Sequence, residues 1–148
     1  MNNANQQPKC ADLVESKYNE TEADYKRARK FFEEYQDATE GQRIALEVID
    51  KNRGDYFHEY DDLFDYVNQT ALSWDYVEGE GRKAGYYRFQ LSWGGPSDEF
   101  RIYVNQDKEI DIIEYWYMDW FDSAHYLVAK YSDCWHICDQ FLECERWS

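Results

Sequence analysis

Between positions 11 and 38 one set of residues recurs at alternating steps of four and three: Val14, Tyr18, Thr21, Tyr25, Ala28, Phe32 and Tyr35. A helix of about 3.6 residues per turn gathers such positions into one stripe, so the pattern predicts a long amphipathic helix over 11–38. Its other faces mix Lys26, Arg27, Arg29 and Lys30 with Glu33 and Glu34, as a solvated surface does. Thr39 is positioned to cap a second helix carrying Ile44, Ala45, Val48 and Ile49, which Asn52-Arg53-Gly54 ends. The segment GDYFHEYDDLFDYVNQ that follows predicts a third helix, to residue 72, with Phe57, Tyr60, Phe64 and Val67 turned inward.

After residue 72 the period changes to two. Residues 73–78 read as a strand and Gly79-Glu80-Gly81-Arg82 as a turn. The stretch 86–93 alternates strictly, with Tyr87, Phe89, Leu91 and Trp93 on one face. A Gly94-Gly95-Pro96-Ser97-Asp98 loop leads into 100–105, where Phe100, Ile102 and Val104 point inward. Beyond the Gln106-Asp107-Lys108 turn, 110–120 is apolar in part on both faces, as a central strand is. Asp122-Ser123 then caps a last helix striped by Ala124, Leu127, Val128, Tyr131, Trp135, Cys138, Phe141 and Leu142. The expected architecture is an α+β domain: N-terminal helices over 11–72, a four-stranded antiparallel meander over 73–120, and a C-terminal helix over 121–146 packed on it. A disordered tail is expected over 1–10, and the length of 148 residues suits one domain over 11–148.

The aromatic load, with 14 Tyr, 8 Phe and 6 Trp, exceeds what an ordinary core uses and leaves rings for an interface. In IIEYWYMDWF, Trp116, Tyr117 and Trp120 fit either core or interface. No apolar run reaches 18 residues, so no membrane span is expected. The polar start MNNANQQPKCADL has neither the basic nor the apolar region of a signal peptide. Cys10, Cys134, Cys138 and Cys144 are too few and too clustered for a disulfide framework, and the expectation is reduced thiols and a cytoplasmic location.

Charge changes the picture most. The net charge is −15, and it falls in blocks. Residues 54–81 hold eight carboxylates and no Lys or Arg, and residues 109–148 hold nine carboxylates and two cations. A free polyanion or an anionic membrane would be repelled, so the natural partner is a basic protein surface. On a continuous third helix, Asp55, Glu59 and Asp62 would form one row and Asp61 and Asp65 a second, at about 5–6 Å between neighbouring Cβ atoms. Duplex DNA carries one charge per about 1.7 Å of axis, a pattern that two such rows approximate. Asp75, Glu78 and Glu80 extend the block, and Asp111, Glu114, Asp119 and Asp122 form a second candidate patch.

Other chemistry finds less support. Cys134, His136, Cys138 and Cys144 offer zinc-type donors within eleven residues, but His136 points away from the Cys134–Cys138 helix face. A metal-stabilised protein is therefore an alternative, with no metal or other cofactor expected on the first reading. His58, His125 and His136 lack a nucleophile in a recognisable context, and no phosphate-binding loop or hydrolase motif is present, so a non-enzymatic role is expected. Arg88 and Arg101 share the outer sheet face with Tyr86 and Tyr103, where they could stack bases or serve as partners for nearby acids. The stripe of the first helix also offers a seam for a homodimer or assembly module.

Small size, blocky acidity such as DYFHEYDDLFDY, reduced cysteines and the lack of catalytic motifs together resemble the small acidic inhibitors of phages and plasmids, the DNA-mimic anti-restriction and anti-CRISPR proteins. The resemblance is compositional and carries no residue across. It implies a stoichiometric inhibitor, acting in the cytoplasm of a bacterial host cell, that occupies the nucleic-acid groove of a defence complex without binding nucleic acid itself.

Overall fold

The sequence stripe becomes α1 (Cys10–Gln36), in which Val14, Tyr18, Tyr25, Ala28 and Phe32 are buried. The computed structural model describes residues 9–146, so residues 1–8 of the tail expected over 1–10 lie outside the described residues. Cys10 belongs to the domain, because it opens α1 and is buried. α2 (Glu40–Arg53) begins at the Thr39 cap, whose hydroxyl accepts from Gln42 N, and ends at Gly54 with φ +77°. That left-handed conformation carries a steric penalty for any residue with a Cβ. A single 3₁₀ turn (Phe57–Glu59), α3 (Leu63–Thr70) and five strands follow: β1 (Ser73–Val77), β2 (Tyr86–Ser92), β3 (Pro96–Val104), β4 (Ile110–Asp119) and β5 (Asp122–Leu127). α4 (Asp133–Arg146) closes the chain.

The protein is thus α+β, with one antiparallel meander in the order β1-β2-β3-β4-β5. Residues paired across antiparallel strands share a face, and one register line is aromatic throughout: Trp74, Phe89, Phe100, Tyr115 and Tyr126, one ring per strand. α1 and α4 cover this face. Tyr18 packs on Tyr115 and Tyr126, Tyr25 on Phe100, and Phe141 on Trp74 and Phe89, with ring centres 4.7–6.4 Å apart. Cys134, Ile137, Cys138 and Leu142 complete the core from α4. A smaller cluster of Ala28, Phe31, Phe32 and Phe57 fastens the 3₁₀ turn to the second half of α1.

Three expectations are corrected. The sheet has five strands rather than four, because residues 122–127 pair with β4 instead of starting a helix. The apolar spacing of Ala124, Leu127 and Val128 fits a helix as well as a strand, and pairing to an exposed β4 edge decides for the strand. The third helix is not continuous either: the chain leaves helical geometry at Tyr60–Asp62 between the 3₁₀ turn and α3. Trp93, expected beside Phe89 and Leu91, lies beyond the end of β2 and is exposed. A register shift between Gln90 and Ser92 breaks the alternation there.

Carboxylates from distant parts of the chain hold two helix N-termini. Cys10 N donates to Asp122 Oδ2 at 2.7 Å, tying α1 to β5. Asp133 N and Cys134 N donate to the two oxygens of Glu22 at 2.7 and 2.9 Å, tying α4 to α1. An anion at a helix N-terminus meets unpaired N–H groups and the positive end of the helix dipole. Burial works to raise the Glu22 carboxyl, but the hydrogen bonds from Cys134 and Asp133 prevail and hold it below its ordinary value of 4.5.

Glu22→Gln is expected to lower stability at pH 7 by about 1–2 kcal/mol in urea unfolding. Because the folded pKa lies below the unfolded one, this stabilisation is complete above the unfolded value and disappears as pH falls through the folded value. The gap between wild type and Glu22→Gln therefore narrows below pH 4.5; a gap unchanged down to pH 3 would contradict the capping role.

Candidate functional site

The chemistry of the acidic segment starts at Asp50, a residue the sequence pattern did not single out. Its carboxylate is buried at the end of α2 and accepts from His58 N at 2.8 Å, while His58 Nδ1 lies 2.6 Å from the same oxygen. Asp55 N donates to Asp50 O, and Tyr56 takes a left-handed φ of +56°. These bonds draw the backbone amide of His58 away from any helical ladder, which is why Asp55–Asp65 does not form one helix. Asp62 then restarts the chain as a cap, accepting from Asp65 N at 2.7 Å. The Asp61 N–H and the Gln69 amide both donate to Asp65 and hold its carboxyl below the usual range.

The two carboxylate rows expected on one helix face therefore do not exist. The eight acids of residues 54–81 divide by use instead. Asp55 lies 3.6 Å from Arg27, and Asp75 is gripped by both Nε and Nη2 of Arg88 at 3.0 and 2.6 Å. Asp62 and Asp65 serve the α3 terminus. Glu59, Asp61, Glu78 and Glu80 are exposed, and among the described residues no side chain forms a hydrogen bond or ion pair with their carboxylates. Two stand just before α3, and two stand beyond β1, the edge strand of the sheet.

The second candidate patch is not a patch. Asp111 and Asp119 sit at opposite ends of β4, about 26 Å apart at a rise of about 3.3 Å per residue. Asp122 caps α1, and the Cys10 N–H holds its carboxyl below the usual range. Glu114 lies on the helix-free sheet face, where it accepts from Trp116 Nε1 at 3.1 Å and lies 3.5 Å from His125 Nε2.

That face carries an ordered network of its own. Asp75, Arg88, Arg101 and Glu114 follow one another across β1 to β4. The Arg101 guanidinium sits 3.9 Å from the Trp116 ring centre and 4.9 Å from that of Tyr86, and Nε donates at 2.9 Å to Glu99, a buried carboxylate. Trp116 in turn stacks on His125. Both arginines are internal partners of acids, and a base would have to displace those contacts to stack there. Trp116 is half-buried, Tyr117 belongs to the core, and Trp120 is exposed.

The Cys/His cluster is not assembled. Cys134 and Cys138 are buried in the core, where desolvation pushes both thiols up, whereas Cys144 is exposed. Among the described residues no group of three His, Cys, Asp or Glu side chains is placed to hold a metal ion. Among the same residues every buried side-chain N or O has a hydrogen-bond partner, so the clefts present no orphaned polar group to a ligand. No described helix is long and apolar enough to cross a membrane. The chain matches no known protein family, no curated protein and no solved structure.

Removing the cation from the Glu99–Arg101 pair leaves a buried carboxylate alone, so Arg101→Met is expected to cost about 3 kcal/mol. Adding Glu99→Gln should recover half or more of that loss in a double-mutant cycle. Simple additivity of the two effects would contradict the pairing.

Proposed function

We propose that this protein is a non-catalytic binding protein whose acidic edge, residues 54–81, docks on a basic surface of another protein. The observation that carries this reading is the combination of eight carboxylates, no Lys or Arg in the segment, and four acids whose carboxylates have no hydrogen-bond or ion-pair partner among the described residues. Like charges held side by side destabilise a fold, and dispersing them over the chain would relieve the repulsion. A cationic partner supplies for Glu59, Asp61, Glu78 and Glu80 the neutralisation that Arg27 and Arg88 give only to Asp55 and Asp75.

The partner fitting this surface is a protein that otherwise handles nucleic acid, since such grooves are lined with Lys and Arg. The likeness to small acidic phage and plasmid inhibitors points to a bacterial defence complex, blocked by occupation of its groove. With the acids on a turn, a cap and a strand edge, recognition rests on a field and a shape and not on a regular helical copy of phosphate spacing. Such a field speeds association and makes binding sensitive to salt.

The test separates free acids from structural ones. Glu59→Lys, Asp61→Lys, Glu78→Lys and Glu80→Lys together should leave the circular dichroism and urea midpoint near wild type. Capture of a basic complex from bacterial extract, releasable by duplex DNA, should be lost, with association slowed by about ten- to a thousandfold at low salt. Undiminished capture by the quadruple variant would overturn the reading.

A further inference from the structure

The two ends of the sheet differ in kind. At one end, the β1–β2 and β3–β4 connections are polar, with Glu78, Glu80, Arg82 and Lys83 in the first and Asp107, Lys108 and Glu109 in the second. The other end is apolar. Pro96 pairs with Asp119, so the β2–β3 loop and the β4–β5 turn project side by side from that end. They carry Trp93, Trp120 and Phe121, which are 79%, 84% and 104% exposed, and Leu72 enters β1 at the same end, also exposed. Among the described residues, none buries these rings.

The β4–β5 turn adds a second observation. Asp119 and Asp122 pair across its base, leaving Trp120 and Phe121 as its two central residues. Trp120 takes φ +57°, a left-handed conformation that favours Gly, Asn or Asp. A bulky aromatic held there in full solvent exposure works against both local backbone preference and solubility. Conformations of that kind cluster at binding and recognition sites.

We infer that Trp93, Trp120 and Phe121 form the apolar anchor of a docking surface, and that its occupant is a protein with an apolar pocket bordered by Lys or Arg. That border answers Asp119 and Asp122 at the base of the turn, whereas Glu78 and Glu80 stand at the opposite end of the sheet; only the expectation that the partner is basic overall rests on the proposed acidic-ligand reading. Charge complementarity selects this occupant over two others. In a symmetric dimer the same patch would meet itself, bringing Asp119 and Asp122 of one copy toward those of the other. An anionic membrane would face the same two carboxylates and a chain of net charge −15. The segment MNNANQQP that precedes α1 in sequence offers little apolar surface to cover three large rings. Aromatic anchors within a charged rim are the usual centre of interface affinity.

The test uses the full chain, immobilised, with bacterial extract as the probe and bound proteins identified by mass spectrometry. Trp120→Gly combined with Trp93→Ser and Phe121→Ser is compared with wild type and with the quadruple acid variant. Glycine accepts φ +57° without strain and Trp93 and Phe121 are exposed, so the triple variant, like Trp120→Gly alone, should keep or raise the melting temperature, which rules out misfolding as the cause of lost binding. The expected result is a basic protein whose affinity falls tenfold or more in the triple variant at every salt concentration. The acid variant should instead lose affinity chiefly at low salt, so failure of one reading is distinguishable from failure of the other. Retention identical for wild type and triple variant, including retention of nothing by either, overturns the inference. So does a doubled mass in solution, or sedimentation with phosphatidylcholine vesicles, that the triple variant abolishes, since the occupant would then be a second copy or a lipid surface.

Discussion

One aromatic ring per strand, from Trp74 on β1 to Tyr126 on β5, is the constraint on which the remaining architecture depends. Cross-strand neighbours on one face pack within contact distance, so a full aromatic row makes that face a broad apolar platform. Such a platform must be covered. α1 and α4 cover it with Tyr18, Tyr25, Cys138 and Phe141, and this fixes which face of the sheet is left without helices. The helix-free side is then built from the alternate residues: Arg88 pairs with Asp75, Arg101 with Glu99 and the Trp116 ring, and Trp116 with Glu114, instead of meeting a helix.

Acidity in this chain has two physical roles. Some carboxylates belong to the fold, since Asp122, Glu22 and Asp62 each receive backbone N–H groups at the start of a helix. Two of the three come from more than a hundred residues away, so these caps also join elements. Asp50 works in the same manner on an irregular segment, fixing the His58 amide and closing the end of α2 against the 3₁₀ turn. Glu59, Asp61, Glu78 and Glu80, whose carboxylates meet no hydrogen-bond or ion-pair partner among the described residues, contribute only field. That division explains how a chain of net charge −15 folds: the acids that must be close to the backbone sit where the backbone is positive.

Much of the fold was legible. The α1 stripe, the Thr39 cap, the Gly54 stop and the alternation of 86–92 are signals in which local preference and tertiary packing agree. The failures share a cause, a local pattern overridden by a partner distant in sequence or absent from the period. Residues 122–127 satisfy helical and strand spacing alike, and only the β4 edge chooses between them. The segment 55–65 reads as helix until Asp50 takes its amide, and nothing in the segment itself announces that. The acidic block was visible in the sequence, but which acids stand free was not, because pairing with Arg27 or Arg88 and capping are properties of three-dimensional proximity. The exposure of Trp93, Trp120 and Phe121 was hidden for the opposite reason: aromatic residues at strand ends look like core until the turn is known to expose them.

If the acidic edge and the aromatic sheet end are the working surfaces, as we propose, the ordered face around Arg101 serves the fold alone. Hydrogen–deuterium exchange of the full chain, with and without a saturating amount of the protein it captures from bacterial extract, tests this most directly. New protection is expected at residues 55–80 and at the loops 93–95 and 119–122, with the amides of β2 and β3 around Arg88, Glu99 and Arg101 unchanged. Protection confined to β2, β3 and β4, with the acidic segment and the aromatic loops exchanging as in the free chain, would contradict it.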